Sequence, residues 1–170
     1  MTQTDHFALF GLPRAFALDA TVLERAWKRV ALAVHPDRFA TASAAERRVA
    51  MQWSAQANEA YRVLRAPLLR ARYLCELAGV DLQTETNTAM SAAFLMQQME
   101  WHEHLDDLTD RGDVVANQVF SSELNQFSQA LMAEVGQLLD AGDFVMAAGR
   151  IREWMFLDKL IAQLNAIESA

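Results

Sequence analysis

Apolar positions recur along most of the chain at the three- and four-residue intervals of an amphipathic helix, between short breaks rich in proline, glycine or polar residues. The first piece, Phe7-Ala8-Leu9-Phe10, stops at Gly11-Leu12-Pro13. Asp19 is the predicted N-cap of the next helix, with Leu23, Ala26, Trp27, Val30 and Val34 on its core face. Pro36 has no amide proton, and it drives His35 out of the α region. That helix therefore ends in a loop presenting His35 and Asp37. Ser43-Ala44-Ala45-Glu46 reads as a capping box opening a third helix, whose core stripe is Val49, Trp53, Ala57, Ala60, Tyr61 and Leu64. Pro67 ends it, and a fourth helix runs from Leu68 to about Leu77.

Gly79 is the predicted C-cap of the fourth helix, and a Thr-rich polar linker follows. Three longer helices are predicted beyond it, over 89–110, 114–141 and 144–167, broken by Arg111-Gly112-Asp113 and Gly142-Asp143. Breaks this short imply antiparallel neighbours and a three-helix bundle. The middle helix offers one apolar face of Val119/Phe120, Leu124, Phe127, Leu131, Val135 and Leu138. In the first, Phe94, Trp101, Leu105 and Leu108 form one stripe. Leu95, Met96 and Met99 lie roughly 100° or more away, and Glu100, Glu103 and Asp107 extend that second face. A bundle helix buries one stripe, so the second either meets the other half of the chain or receives a partner. Methionine suits an adaptable contact.

Composition supports an all-α fold. Of 170 residues, 52% are hydrophobic and 22% charged, with 30 Ala and 21 Leu against 6 Gly and 3 Pro. The formal charge of −7 argues against nucleic acid as a partner. That charge is divided unevenly. Residues 1–76 hold 11 basic and 7 acidic side chains, and residues 77–170 hold 4 and 15. Halves of net +4 and −11 suggest two modules with different partners. On the first, Arg25, Lys28 and Arg29 fall opposite the core stripe of their helix. The start of the chain has no secretory pattern, and no apolar run is long enough to span a bilayer, so a cytoplasmic protein is expected.

Candidate chemistry is sparse. The single cysteine, Cys75, sits in an apolar helical stretch and is expected to be a buried small hydrophobe. His102-Glu103-His104 places its histidines two apart, where they share no helix face, so neither a metal site nor a cofactor is expected. An acid–base pair of His35 and Asp37 has no Ser or Cys nucleophile beside it and no Gly-rich oxyanion turn, and the chain is not expected to be an enzyme.

His35-Pro36-Asp37 between two such helices resembles the signature of J-domains, the co-chaperones of DnaK-type ATPases. Asn58-Glu59-Ala60-Tyr61-Arg62-Val63-Leu64 and Pro67-Leu68-Leu69-Arg70-Ala71-Arg72-Tyr73 look like later segments of the same family. Three further stretches are similar to HscB, the J-type co-chaperone family of iron–sulfur cluster assembly: residues 5–13, Ala93-Phe94-Leu95-Met96, and Phe156-Leu157-Asp158-Lys159-Leu160. The resemblance covers nearly the whole chain. It implies an L-shaped all-α fold, with a J-domain over 1–78, a linker over 79–88 and a three-helix bundle over 89–170 that binds the scaffold protein IscU. It also implies that the J-domain delivers the scaffold to the DnaK-like ATPase HscA. His35, Pro36, Asp37 and Arg38, with the basic face Arg25, Lys28 and Arg29, would meet the chaperone. Leu95, Met96, Met99, Glu100, Glu103, Asp107 and Phe156 would meet the scaffold. Met99 stands where the family often has Leu, and Asp107 where Glu is common. The alternative is a J-domain co-chaperone serving a different client.

Overall fold

Every break predicted from proline, glycine and capping residues falls at or beside a helix end in the computed structural model, which describes residues 5–82 and 90–168. Among the described residues there are seven α-helices, one 3-10 turn and no strand. Contacts divide the chain into two compact units, Met1–Leu74 and Cys75–Ala170. Residues 83–88 of the expected linker, and the expected helix start at 89, lie outside the described residues.

The first unit is built on α1 (His6–Leu9), α2 (Ala20–Ala33), α3 (Ala44–Arg65) and most of α4 (Pro67–Leu77). Asp19 caps α2 by accepting from the Thr21 and Val22 amides. Ser43 and Glu46 complete a reciprocal capping box on α3: the Ser43 hydroxyl and amide both donate to Glu46, and these bonds hold the Glu46 carboxyl below its usual range. Phe7, Phe10, Leu23, Ala57, Ala60 and Leu64 are fully or almost fully buried, and α1 and α2 both pack on α3. Trp27 stacks on Tyr61 at 4.6 Å and donates to Asn58. Among the described residues of this unit, Arg70 is the one buried cation. It donates to the carbonyls of Leu64 and Phe16, so it ties the end of α3 to the loop ahead of α2. Two of the expected core residues of α3 are not core: Val49 is 50% exposed and Trp53 39%.

In the second unit α5 (Ala92–Arg111), α6 (Val114–Asp140) and α7 (Phe144–Glu168) form the bundle. Gly112 stops α5 in the left-handed region, φ 62°, and donates to the Leu108 carbonyl. Asp113 and Asp143 cap the following helices through the amides of Val115 and Ala116, and of Met146. The core holds Phe94, Trp101, Leu105 and Leu108 from α5, Phe120, Leu124, Leu131 and Val135 from α6, and Ile151, Leu157, Leu160 and Leu164 from α7. The expected face of α6 needs correction at its edges. Val119 is 55% exposed, Phe127 39%, and Leu139 rather than Leu138 is buried. Cys75 is buried as expected, with its thiol against the Phe144 carbonyl, and burial pushes the thiol up to about 11.

Two stability predictions follow from the first unit. Arg70→Met keeps the side chain's bulk but orphans two carbonyls, and should cost about 2–3 kcal/mol by urea unfolding. Asp5 caps α1 through the Ala8 amide and pairs with Arg14 at 2.7 Å. Burial pushes the Asp5 carboxyl up, but the Ala8 amide and Arg14 outweigh it and hold it below its usual value. A lowered folded pKa gives stability that is present above the unfolded value near 3.9 and lost as pH falls through the folded one. Asp5→Asn keeps a capping side chain, so its stability deficit should be complete above about pH 5 and close on acidification below about pH 4.

Candidate functional site

Two exposed surfaces carry the residues singled out in the sequence, one on each unit. The first is the end of the α2–α3 hairpin. Pro36 opens a 3-10 turn over Pro36–Phe39 with His35 as its N-cap, and the backbone of His35 is extended, φ −60° and ψ 133°. The imidazole Nδ1 accepts the Asp37 amide at 3.3 Å. A neutral ring accepting at Nδ1 carries its proton on Nε2. The Asp37 carboxylate stands 3.6 Å from the same Nδ1 and is 91% exposed. The tip is thus fixed in its backbone while its carboxylate remains in solvent. Arg38 turns back to donate to the Leu32 carbonyl in the last turn of α2, so this cation also serves as a C-terminal cap.

Arg25, Lys28 and Arg29 are all exposed on α2. Lys28 is bound to Glu24 one turn earlier, at 2.6 Å, while Arg25 and Arg29 make no ion pair among the described residues. Val22 and Leu32, 45% and 67% exposed, lie with Arg25 and Arg29 on one stripe at positions 22, 25, 29 and 32. Sequence reading missed these two apolar borders, although the spacing that reveals them was available. Behind the loop, Val34, Phe39, Val49, Ala50 and Trp53 line an apolar groove of about 300 Å³, which is where the misassigned residues of α3 are found.

The second surface lies on α5. Leu95, Met96 and Met99 are 45%, 64% and 65% exposed, one residue away from a buried Phe94 and two away from a buried Trp101. Glu100 and Glu103 are exposed beside them; Glu100 accepts from Gln97. Asp107 is bound to Arg111 at 3.0 Å, so among the described residues its carboxylate is the one of the three held in an ion pair. Phe156 on α7 is half-buried, with its ring edge-on to Phe94 at 6.0 Å and to His102 at 5.5 Å. The structure thus sets Phe156 against the buried stripe of α5 at Phe94. It also adds His102, which the sequence offered only as a metal candidate and which packs on Phe156. His104 packs on Phe120 at 4.6 Å.

A family model described as the HSCB C-terminal oligomerisation domain matches residues 90–165. Over 169 residues the chain is 59% identical to the co-chaperone protein HscB homolog of Bordetella avium, a match spanning 99% of both sequences. Chaperone HscB from Vibrio cholerae matches with a TM-score of 0.85 at 34% identity, over 97% of this chain and 98% of that one. The crystal structure of human co-chaperone protein HscB matches with a TM-score of 0.93 over 99% of this chain and 84% of that one; at 24% identity this likeness concerns the fold.

Neighbouring positions on α5 should respond very differently to truncation. Leu95→Ala with Met96→Ala should change unfolding free energy by less than about 1 kcal/mol, because both side chains are largely exposed, at 45% and 64%. Phe94→Ala should cost about 3–5 kcal/mol. Urea titrations followed by far-UV circular dichroism measure both; a double variant as unstable as Phe94→Ala would mean that the second face is core.

Proposed function

The chain belongs to the HscB family of co-chaperones, and on that footing we propose that it binds the iron–sulfur scaffold protein IscU, brings it to the DnaK-like chaperone HscA and stimulates that chaperone's ATPase. The fold is all-α, an N-terminal J-domain followed by a C-terminal helical bundle. In this reading residues 1–78 are the J-domain, 79–88 the linker and 89–170 the client-binding bundle, and the protein works in the cytoplasm. No helix among the described residues is long and apolar enough to cross a membrane.

The observation that carries the proposal is the pairing of two unsatisfied surfaces on separate units. At the hairpin tip, Asp37 offers an exposed carboxylate whose partner is an arginine of the chaperone. Arg25 and Arg29, bordered by Val22 and Leu32, offer charge with an apolar rim. Opposite charge on the chaperone steers the encounter, and desolvation of the rim holds it. On the bundle, the apolar side chains Leu95, Met96, Met99 and Phe156 supply the contact area for the scaffold. Glu100 and Glu103 at their edge favour a client surface with basic residues. Holding client and motor on one chain raises the concentration of one at the other, which is how a protein with no turnover of its own accelerates a chaperone cycle. The same J-domain machinery serving a different client is the second reading, and the identity of the protein captured by the bundle decides between them.

His35→Gln should abolish stimulation of HscA and leave scaffold affinity unchanged. Leu95→Ala, Met96→Ala and Phe156→Ala together should weaken scaffold binding at least about tenfold, with ATPase stimulation by the isolated co-chaperone retained. Crossed results, in which the loop change removes scaffold binding, would refute this division. Raising salt from 0.05 to 0.5 M should slow association with HscA, because exposed Arg25 and Arg29 act over a Debye length of only about 8 Å at physiological ionic strength.

A further inference from the structure

The bundle leaves a cavity of about 460 Å³ between α5, α6 and α7, and none of the residues assigned to scaffold or chaperone lines it. Its volume is that of small-ligand pockets, which run from about 300 to 1,000 Å³. Phe94, Phe127 and Leu131 form apolar walls, and Ala130 and Gln97 also line it. Its charged groups come from two helices. Arg150 on α7 donates through Nε to Glu134 on α6 at 3.0 Å and through Nη1 to Glu153 at 2.7 Å. One guanidinium therefore serves two carboxylates, and the set keeps one negative charge in excess. Glu153 is the deeper of the two acids, its side chain only 7% exposed. A buried carboxylate with a shared cation gains from a second charge-assisted donor. The aromatic walls favour a cation as well.

We propose that this cavity is a docking site for one arginine or lysine side chain presented by a partner polypeptide, whose methylene stem lies against Phe94 and Leu131 while its charged end reaches Glu153 and Glu134. A stem of three or four methylenes carrying a single charge suits a pocket that is apolar along its walls and short of one cation. A polyamine would bring further charges for which the pocket has no carboxylate. The site is independent of which client the exposed face of α5 receives. Phe94 nevertheless joins the two, since its ring also touches Phe156.

The test is a nuclear magnetic resonance titration of the full chain with N-acetyl-arginine N-methylamide, its neutral citrulline analogue and spermidine. The arginine derivative should give saturable shifts centred on Phe94, Ala130 and Glu153, and the citrulline analogue should bind at least tenfold more weakly. Glu153→Gln should weaken the arginine derivative by a similar factor. Ala130→Trp should block it by filling the mouth from an exposed position, which keeps the test independent of any loss of stability in Glu153→Gln. Equal binding of the citrulline analogue, unchanged binding by Ala130→Trp, or no saturable shift at these residues would overturn the site. Tighter binding of spermidine than of the arginine derivative would overturn its assignment to a side chain.

Discussion

A helix in a small bundle has one stripe to give to its neighbours, and apolar side chains outside that stripe stay in water. This constraint organises α5. Phe94, Trp101, Leu105 and Leu108 take the buried stripe, and Leu95, Met96 and Met99 have no place left in the same core. Their exposure is therefore a product of the packing itself. Surplus apolar positions of a well-formed element can be altered with little effect on the core behind them. The hairpin tip follows a related rule. Pro36 cannot continue α2, so the chain must leave the helix with His35 and Asp37 outside it.

Electrostatics refine this picture more than they create it. Exposed ion pairs such as Lys28 with Glu24 add little stability. Their effect is on what remains for a partner: Lys28 is drawn into its own helix, Arg38 is drawn back to Leu32, and Arg25 and Arg29 are left outward. Asp107 is similarly drawn to Arg111, whereas Glu103 has no ion pair among the described residues. Two charged sets with equal formal charge can differ widely in what they offer a second protein, according to which members are already paired at home.

Much of the fold was legible because its punctuation is local. Asp19, Ser43 with Glu46, Gly112 and Asp143 act within one turn of themselves, and each does what its residue type and spacing imply. The errors fall where burial depends on the neighbouring helix. Trp53 has the right angular position on α3 to be core. However, α2 has 14 residues, about 21 Å, against 22 in α3, about 33 Å, so part of α3 has no helix over it. Periodicity gives the angle of a side chain and is silent about axial overlap. Phe127 fails for a different reason, since it stands at the margin of the α6 stripe, where a small rotation decides between core and solvent, whereas Val119 lies about 100° round the helix from Phe120, away from the buried stripe. The second face of α5 could be read because its distance from the core stripe is large. Phe156 was grouped with it by resemblance alone, and the packing of α7 on α5 supplies the contacts of Phe156 with Phe94 and His102. The triad of Glu134, Arg150 and Glu153 gave no signal at all along the chain, for its members come from two helices.

The buried thiol has a consequence for the chemical company this protein keeps. Burial pushes the Cys75 thiol up to about 11, so at pH 7 it stands as the neutral thiol. Nucleophilic attack, metal ligation and oxidation all proceed through the thiolate. The chain has one cysteine, and its burial disfavours the thiolate that such chemistry needs. A co-chaperone with such a thiol presents no ready sulfur nucleophile or metal ligand to the proteins it meets.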